Sequence, residues 1–196
     1  MAKADSDASK RERNKTLRWV VTIFITTIFV SGAISLISDA VMENSSIVVA
    51  FFILLGIVLV GIVFDVIGVA VTSADEKPFH SMAARKVPGA REAIRLLRSA
   101  ERVSSICNDV VGDICGVVSG SASATIASQI LTNFTFSWPQ VVSLLMSALV
   151  AALTVGGKAI GKTFAIGSCT AIVHGVGKLI YTWSRFRALF SKKKES

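Results

Sequence analysis

Residues 47–71 read IVVAFFILLGIVLVGIVFDVIGVAV, an apolar run in which Asp65 is the one charged residue. A helix rises about 1.5 Å per residue, so roughly 20 apolar residues cross a hydrocarbon core about 30 Å thick. The bilayer interior has no water to satisfy backbone groups, and the run lacks the strict alternation of a barrel strand. The stretch therefore predicts a membrane-spanning helix.

A second apolar run, WVVTIFITTIFVSGAISLI, lies upstream at residues 19–37. The connection between the two runs, SDAVMENSS at 38–46, is short, acidic and free of Lys and Arg. The pattern predicts a helical hairpin that crosses the bilayer and returns.

The charge distribution predicts the orientation. Of the 196 residues 52% are apolar and 17% are charged, and all 21 Lys and Arg fall within residues 3–18, 77–102 and 158–194. Basic residues gather on the cytoplasmic side of membrane proteins, so we predict that both termini and the central loop are cytoplasmic, at the plasma (inner) membrane. Despite the net charge of +8, we expect no nucleic-acid partner, because these residues do not spread over one face among aromatics.

The third apolar region, 103–131, is rich in small residues, and Gly112, Gly116 and Gly120 recur every four positions. This spacing lets helices approach closely in membranes. We therefore expect a third span that packs through a glycine groove, which is also suited to pairing with a second copy.

The carboxy-terminal third leaves two topologies open. Residues 140–158 predict a fourth span, and 163–183 are apolar enough to cross again. A fifth crossing would place Arg185 and Arg187 outside, against the charge rule. We favour an interfacial or re-entrant helix at 163–183.

The expected fold class is therefore all-α, a polytopic helical membrane protein with about four transmembrane helices. The basic loop contains REAIRLLRSAER, which has the spacing of an amphipathic helix on anionic headgroups, although a solvated cytoplasmic hairpin is the alternative. Membrane lipids are the expected partners. The predicted order is a cytoplasmic tail (1–18), a transmembrane domain (19–185) and a second cytoplasmic tail (186–196). Within the transmembrane domain we expect spans at about 19–38, 47–72, 103–131 and 140–158, a juxtamembrane loop at 75–102 and an interfacial segment at 163–183.

Polar residues within the predicted spans are candidates for function, because an ionised Asp at the bilayer centre costs about 2.5 to 3.5 kcal/mol. Asp65 and Asp109 lie at similar depths, about 10 Å from the cytoplasmic side by helical rise. Asn108 and Gly112 form one row along the third span, and Asp109 and Asp113 form the next. We expect these groups and Lys158 to converge in a cytoplasm-facing cavity.

Oxygen-rich side chains beside exposed backbone suit hard cations such as Mg²⁺. Asp65, Asn108 and Asp109 are the candidate metal ligands. The alternative is an ion pair between Lys158 and an Asp that only locks helices together.

Three motifs in this order carry a family resemblance: FDVIGVAVTSAD at 64–75, REAIRLLRSAERVSSICNDVVGD at 91–113 and VGGKAIGKTFA at 155–165. Together they resemble the transmembrane domain of the CNNM/CorB/CorC family, which is associated with Mg²⁺ and Co²⁺ transport or efflux. The resemblance covers roughly residues 47–185 and implies a homodimer. It also implies that any regulatory CBS module is a separate subunit, because the chain ends soon after the last apolar stretch.

The resemblance also implies an ion pathway. The family's metal-site serine falls on or beside Asp65, its asparagine cluster falls on Asn108, Asp109 and Gly112, and its final glycine, glutamate and proline fall on Gly157, Lys158 and Gly161. The departures are a lysine in place of the glutamate, a glycine in place of the proline, and the missing last asparagine.

Two functions follow as hypotheses. The first is a divalent-cation transporter whose pathway is lined by Asp65, Asn108, Asp109, Gly112, Asp113, Gly157 and Lys158. The second is a non-transporting membrane scaffold or partner protein. We do not expect an enzyme, because His80 and His174 have no evident catalytic partner and no HExxH, Ser/His/Asp or Cys/His pattern occurs in the sequence.

Overall fold

The computed structural model describes the backbone of residues 2–43, 45–134 and 137–192, with side chains from 17 to 187 apart from positions 39 and 43. It is 91% helical, and these residues include no strand. In chain order the helices are α1 (Ala2–Glu43), α2 (Ile47–Ser73), α3 (Lys77–Ala84), α4 (Ala90–Arg98), α5 (Ala100–Ser105), a π-helix (Ile106–Gly112), α6 (Asp113–Asn133), α7 (Pro139–Gly167) and α8 (Cys169–Lys192).

Four stretches within the described residues are long and apolar enough to cross a membrane. They are Leu17–Met42, Ile47–Ser73, Ala100–Asn133 and Pro139–Gly167. The third is one continuous helical stretch made of α5, the π-helix and α6. The predicted class, an all-α helical membrane protein, is confirmed.

The boundaries of the helices near both ends of the chain differ from the expected ones. Helix α1 begins at Ala2, so the expected amino-terminal tail is helical. Helix α7 runs to Gly167, nine residues past the expected end of the fourth span, because Gly157 and Gly161 pack its second half against α2. Helix α8 begins at Cys169, within the segment expected at 163–183, and ends at Lys192 inside the expected tail.

Two apolar clusters hold the bundle together. One joins α1, α2, α6 and α7 through Met42, Leu54, Ile126 and Val150. The other joins α2, α3, α4, α7 and α8, with buried Val71, Phe79, Ala93, Ala165 and Val173. We call the end of the bundle that holds the second cluster the basic end, because the exposed arginines of α4 lie there.

Candidate functional site

The site lies where α2 packs against the π-helix on one side and α7 on the other. Gly68 of α2 makes the contact with the π-helix possible, and Gly61 allows a close contact with α6, which follows the π-helix. A Cβ at Gly61 would lie 2.9 Å from Cβ of Cys115, and a Cβ at Gly68 would collide with Oδ1 of Asn108. Asp65 lies between these two glycines on the same buried stripe of α2, since Gly61, Asp65 and Gly68 are all buried.

The contact between α2 and α7 uses glycines on α7. A Cβ at Gly157 would collide with Ile62, and a Cβ at Gly161 would lie 2.7 Å from Cγ2 of Val66. Gly157 therefore serves close packing in the structure. This packing places Lys158, which is half-buried, and Lys162, which is exposed, close to α2.

Asp65 is 4% exposed, and its Oδ2 atom accepts no hydrogen bond from the described residues. The nearest cation is on α7, where Nζ of Lys162 lies 3.9 Å from Oδ2. The lysine side chain is 53% exposed, whereas that of Asp65 is 5% exposed. The ion pair therefore joins a buried carboxylate to an ammonium group that reaches solvent or headgroups.

Asn108 supplies a second buried oxygen without a donor. Its Nδ2 atom donates a hydrogen bond of 3.2 Å to Oγ of Ser104, and its Oδ1 atom accepts none from the described residues. Oδ1 lies against Gly68, which is three residues from Asp65 on the same face of α2. Asn108 and Asp65 therefore both lie along one face of α2, at positions about 4.5 Å apart by helical rise.

Lys158 lies at the same junction. A Cβ at Gly112 would be 3.4 Å from its Nζ atom, so the ammonium group lies against the backbone of the π-helix. Lys158 and Lys162 are four residues apart and face the same side of α7. The ammonium group of Lys162 forms the ion pair with Asp65, whereas that of Lys158 lies against Gly112.

The remaining predicted site residues lie outside this junction. Asp109 and Asp113 are on the exposed side of their helix, and Oδ2 of Asp109 accepts a hydrogen bond of 2.8 Å from Oγ of Ser105. Among the described side chains, no three His, Cys, Asp or Glu residues are placed to hold one metal ion. The structure thus brings together Asp65, Asn108, Gly112 and Lys158, and it separates Asp109 and Asp113 from them by exposure.

The sequence reasoning missed Lys162, Gly68 and the π-helix. A signal for Lys162 was present, because it follows Lys158 by one helical turn. The π-helix was not foreseeable from spacing alone. Such segments are often found at functional sites, and this one contains Asn108 near its start.

Comparison of the chain with protein-family models, curated proteins and solved structures finds no match. The fold and the site define the class, an all-α membrane protein with a buried carboxylate, a buried amide and two lysines between three of its helices.

Proposed function

We propose that this protein binds and transports a small divalent cation at a site centred on Asp65 and Asn108. Mg²⁺ is the leading candidate for this cation, and Co²⁺ is the next. The observation that carries the proposal is the pair of buried acceptor oxygens, Oδ2 of Asp65 and Oδ1 of Asn108, with no donor among the described residues. Leaving such groups without a hydrogen bond in an apolar interior costs several kcal/mol, and at Oδ2 the ammonium group of Lys162, 3.9 Å away, offsets part of this cost. A hard cation takes oxygen ligands and keeps several waters, so it satisfies both atoms without a further carboxylate.

Lys162 then competes with the cation for Asp65. Its ammonium group is 3.9 Å from Oδ2, and its half-exposed side chain has room to swing outward. The cation binds when the ammonium group leaves, and the ammonium group returns when the cation leaves. The carboxylate is thereby never left alone in a low-dielectric environment, where an uncompensated charge is strongly unfavourable.

We place the basic end at the cytoplasmic side of the plasma (inner) membrane. The support is the confinement of Lys and Arg to residues 3–18, 77–102 and 158–194, together with the general excess of these residues in cytoplasmic segments. With this orientation the Asp65 site is reached from the cytoplasm, because Asp65 lies in the half of α2 that is nearer the basic end.

We further propose that two copies pair through α6. Asp113 is exposed within a candidate membrane span, where a charge facing lipid is costly. Gly116 and Gly120 lie on the same side of the helix, and a Cβ at either would meet nothing within 4 Å. A second copy would cover this side and allow the close helix approach that glycines permit.

The alternative function is a membrane scaffold that transports nothing. The contact between Lys162 and Asp65 supports it, because an ion pair between α7 and α2 is also a way to fix helices relative to one another. In that case Lys162 alone neutralises the Asp65 carboxylate. Any subunit that regulates or transports is then a separate protein that binds the loops.

The test is Mg²⁺ flux into proteoliposomes under a Mg²⁺ gradient. We expect flux in the wild type, a loss of at least tenfold in Asp65→Asn and in Asn108→Ala, and a rate within twofold of wild type in Asp75→Asn, the matched control at an exposed carboxylate outside the candidate spans. No flux in the wild type, or equal loss in the control, would contradict transport through this site and favour the scaffold.

A further inference from the structure

A separate polar cleft of about 380 Å³ lies at the basic end, between the α3–α4 turn and α8. Its lining includes the cations Lys86, Arg91 and Arg95, the single carboxylate of Glu92 and the ring of Tyr181. The excess of positive charge indicates that an anion is the ligand.

The three cations are not neutralised by ion pairs within the described part of the chain. Lys86, Arg91 and Arg95 are all exposed. The ion pairs nearby involve other residues, since Nε of Arg98 is 2.9 Å from Oε1 of Glu76. Arg91 and Arg95 are one turn apart on α4, so both guanidinium groups can reach one ligand.

The walls of the cleft are preformed by tight packing of the turn against α8. A Cβ at Gly89 would lie 2.5 Å from the backbone nitrogen of Lys178, and one at Gly177 would lie 2.5 Å from the carbonyl oxygen of Gly89. A ring nitrogen of His174 is 3.2 Å from the carbonyl oxygen of Pro88. Lys86 has a φ of 57°, an uncommon value for a residue with a side chain. A site held this rigidly loses little freedom on binding.

The two faces of α8 place the cleft at headgroup depth. Leu179 and Trp183 are 72% and 73% exposed on one face, and such large apolar side chains favour lipid. Tyr181 and Arg185 lie on the opposite side by helical spacing. A helix with these two faces is suited to lie along a membrane surface, with its basic face towards the phosphate layer.

We propose that the cleft binds the phosphate of an anionic phospholipid, with Arg91 and Arg95 as the charged donors and Lys86 as the third cation. A lipid fits better than a soluble anion because the cleft lies beside an apolar helix face that itself requires lipid. This proposal is independent of the cation site at Asp65, since the two sites share no residue.

The test uses native mass spectrometry of the full chain released from micelles that contain equal amounts of phosphatidylglycerol and phosphatidylcholine. We expect the wild type to retain one phosphatidylglycerol per chain in preference to phosphatidylcholine. The Arg91→Gln/Arg95→Gln variant should retain at least fivefold less. The matched control is Arg85→Gln, an exposed arginine outside the cleft lining, and it should behave as wild type.

Two further arms distinguish lipid binding from a folding defect and from binding of a soluble phosphate. The Arg91→Lys/Arg95→Lys variant keeps the charge and should recover most of the retention, which a folding defect would not allow. Inorganic phosphate at the same concentration should not displace the lipid. Equal retention of the two lipids by the wild type, unchanged retention in the glutamine variant, or displacement by inorganic phosphate would each overturn the proposal.

Discussion

Nζ of Lys162 lies 3.9 Å from Oδ2 of Asp65, and the pair links α7 to α2 at a carboxylate that is 5% exposed. At an effective dielectric constant of 20, two unit charges at about 4 Å attract by about 4 kcal/mol. Because the lysine is half exposed, solvent screening leaves only part of that figure. The contact therefore links the two helices with an attraction well below that figure, and we propose that a cation can take the place of the lysine.

The first prediction concerns stability with and without Mg²⁺. Lys162→Met keeps the stem of the side chain and removes the charge, so Asp65 is left without a counterion. We expect the melting temperature to fall by about 2 to 8 °C without Mg²⁺, which corresponds to a loss of roughly 1 to 2 kcal/mol. Mg²⁺ should restore it by occupying the place of the ammonium group. Thermal unfolding in detergent measures both effects.

The control for that experiment is Lys178→Met, because Lys178 is exposed on α8 and belongs to no ion pair in the described part of the chain. It should melt within 1 to 2 °C of the wild type, as surface substitutions usually change stability by less than about 0.5 kcal/mol. A fall equal to that of Lys162→Met would mean that the contact with Asp65 has no special role.

The second prediction compares two glycines of α8. Gly177→Ala puts a methyl group 2.5 Å from the backbone oxygen of Gly89, and backbone yields less readily than a side chain. We expect a loss of about 1 to 3 kcal/mol, as for overpacked cores. Gly175→Ala meets nothing within 4 Å and should gain up to about 1 kcal/mol from helix propensity. Chemical denaturation measures the free energy of unfolding of both variants. Equal values would contradict the close contact between α4 and α8.

The third prediction tests orientation. In a background with Cys107, Cys115 and Cys169 replaced by Ala, a cysteine is introduced at Ser137, between α6 and α7, or at Ser184 on α8. Both positions are exposed. A membrane-impermeant thiol reagent added to intact cells should label Ser137→Cys and leave Ser184→Cys unlabelled until the membrane is opened. Labelling of Ser184→Cys from outside would contradict a cytoplasmic carboxy terminus.

The fourth prediction tests pairing through α6. Gly120→Ile fills the open side of the helix with a bulky side chain, which should prevent close approach of a second copy. Cross-linking in native membranes should show at least fivefold less dimer. Gly56→Ile is the control, because a Cβ at Gly56 also meets nothing within 4 Å. Gly56 lies on α2, away from the proposed interface. Dimer loss in both variants, or in neither, would argue against an α6 interface.

The sequence was most informative where one long apolar run makes up a whole helix. Helix α2 runs from Ile47 to Ser73, within a residue of the expected end, since an unbroken apolar run has only one way to satisfy its backbone in a bilayer. Hydropathy placed the end of the fourth span near Lys158. The helix continues to Gly167 because Gly157 and Gly161 pack on α2, and this tertiary contact has no signature in a hydropathy profile.

The site was only partly predictable for a similar reason. Helical spacing correctly groups Asn108 with Gly112 and Asp109 with Asp113. Which row faces α2 depends on the rotation of the helix about its axis. That rotation is fixed by the fit of Asn108 against Gly68, and the rotation of α7 likewise determines that Lys162 reaches Asp65. Neither rotation can be read from one sequence.

We propose that Asp65 and Asn108 bind a cation for which Lys162 competes, and Mg²⁺ binding to the purified protein in lipid nanodiscs tests this proposal most directly. Titration calorimetry should give a Kd for Lys162→Gln about tenfold lower than for the wild type, or about 1.4 kcal/mol tighter. Asp65→Asn should show no saturable binding. Equal Kd values for wild type and Lys162→Gln, or unchanged binding in Asp65→Asn, would contradict the account.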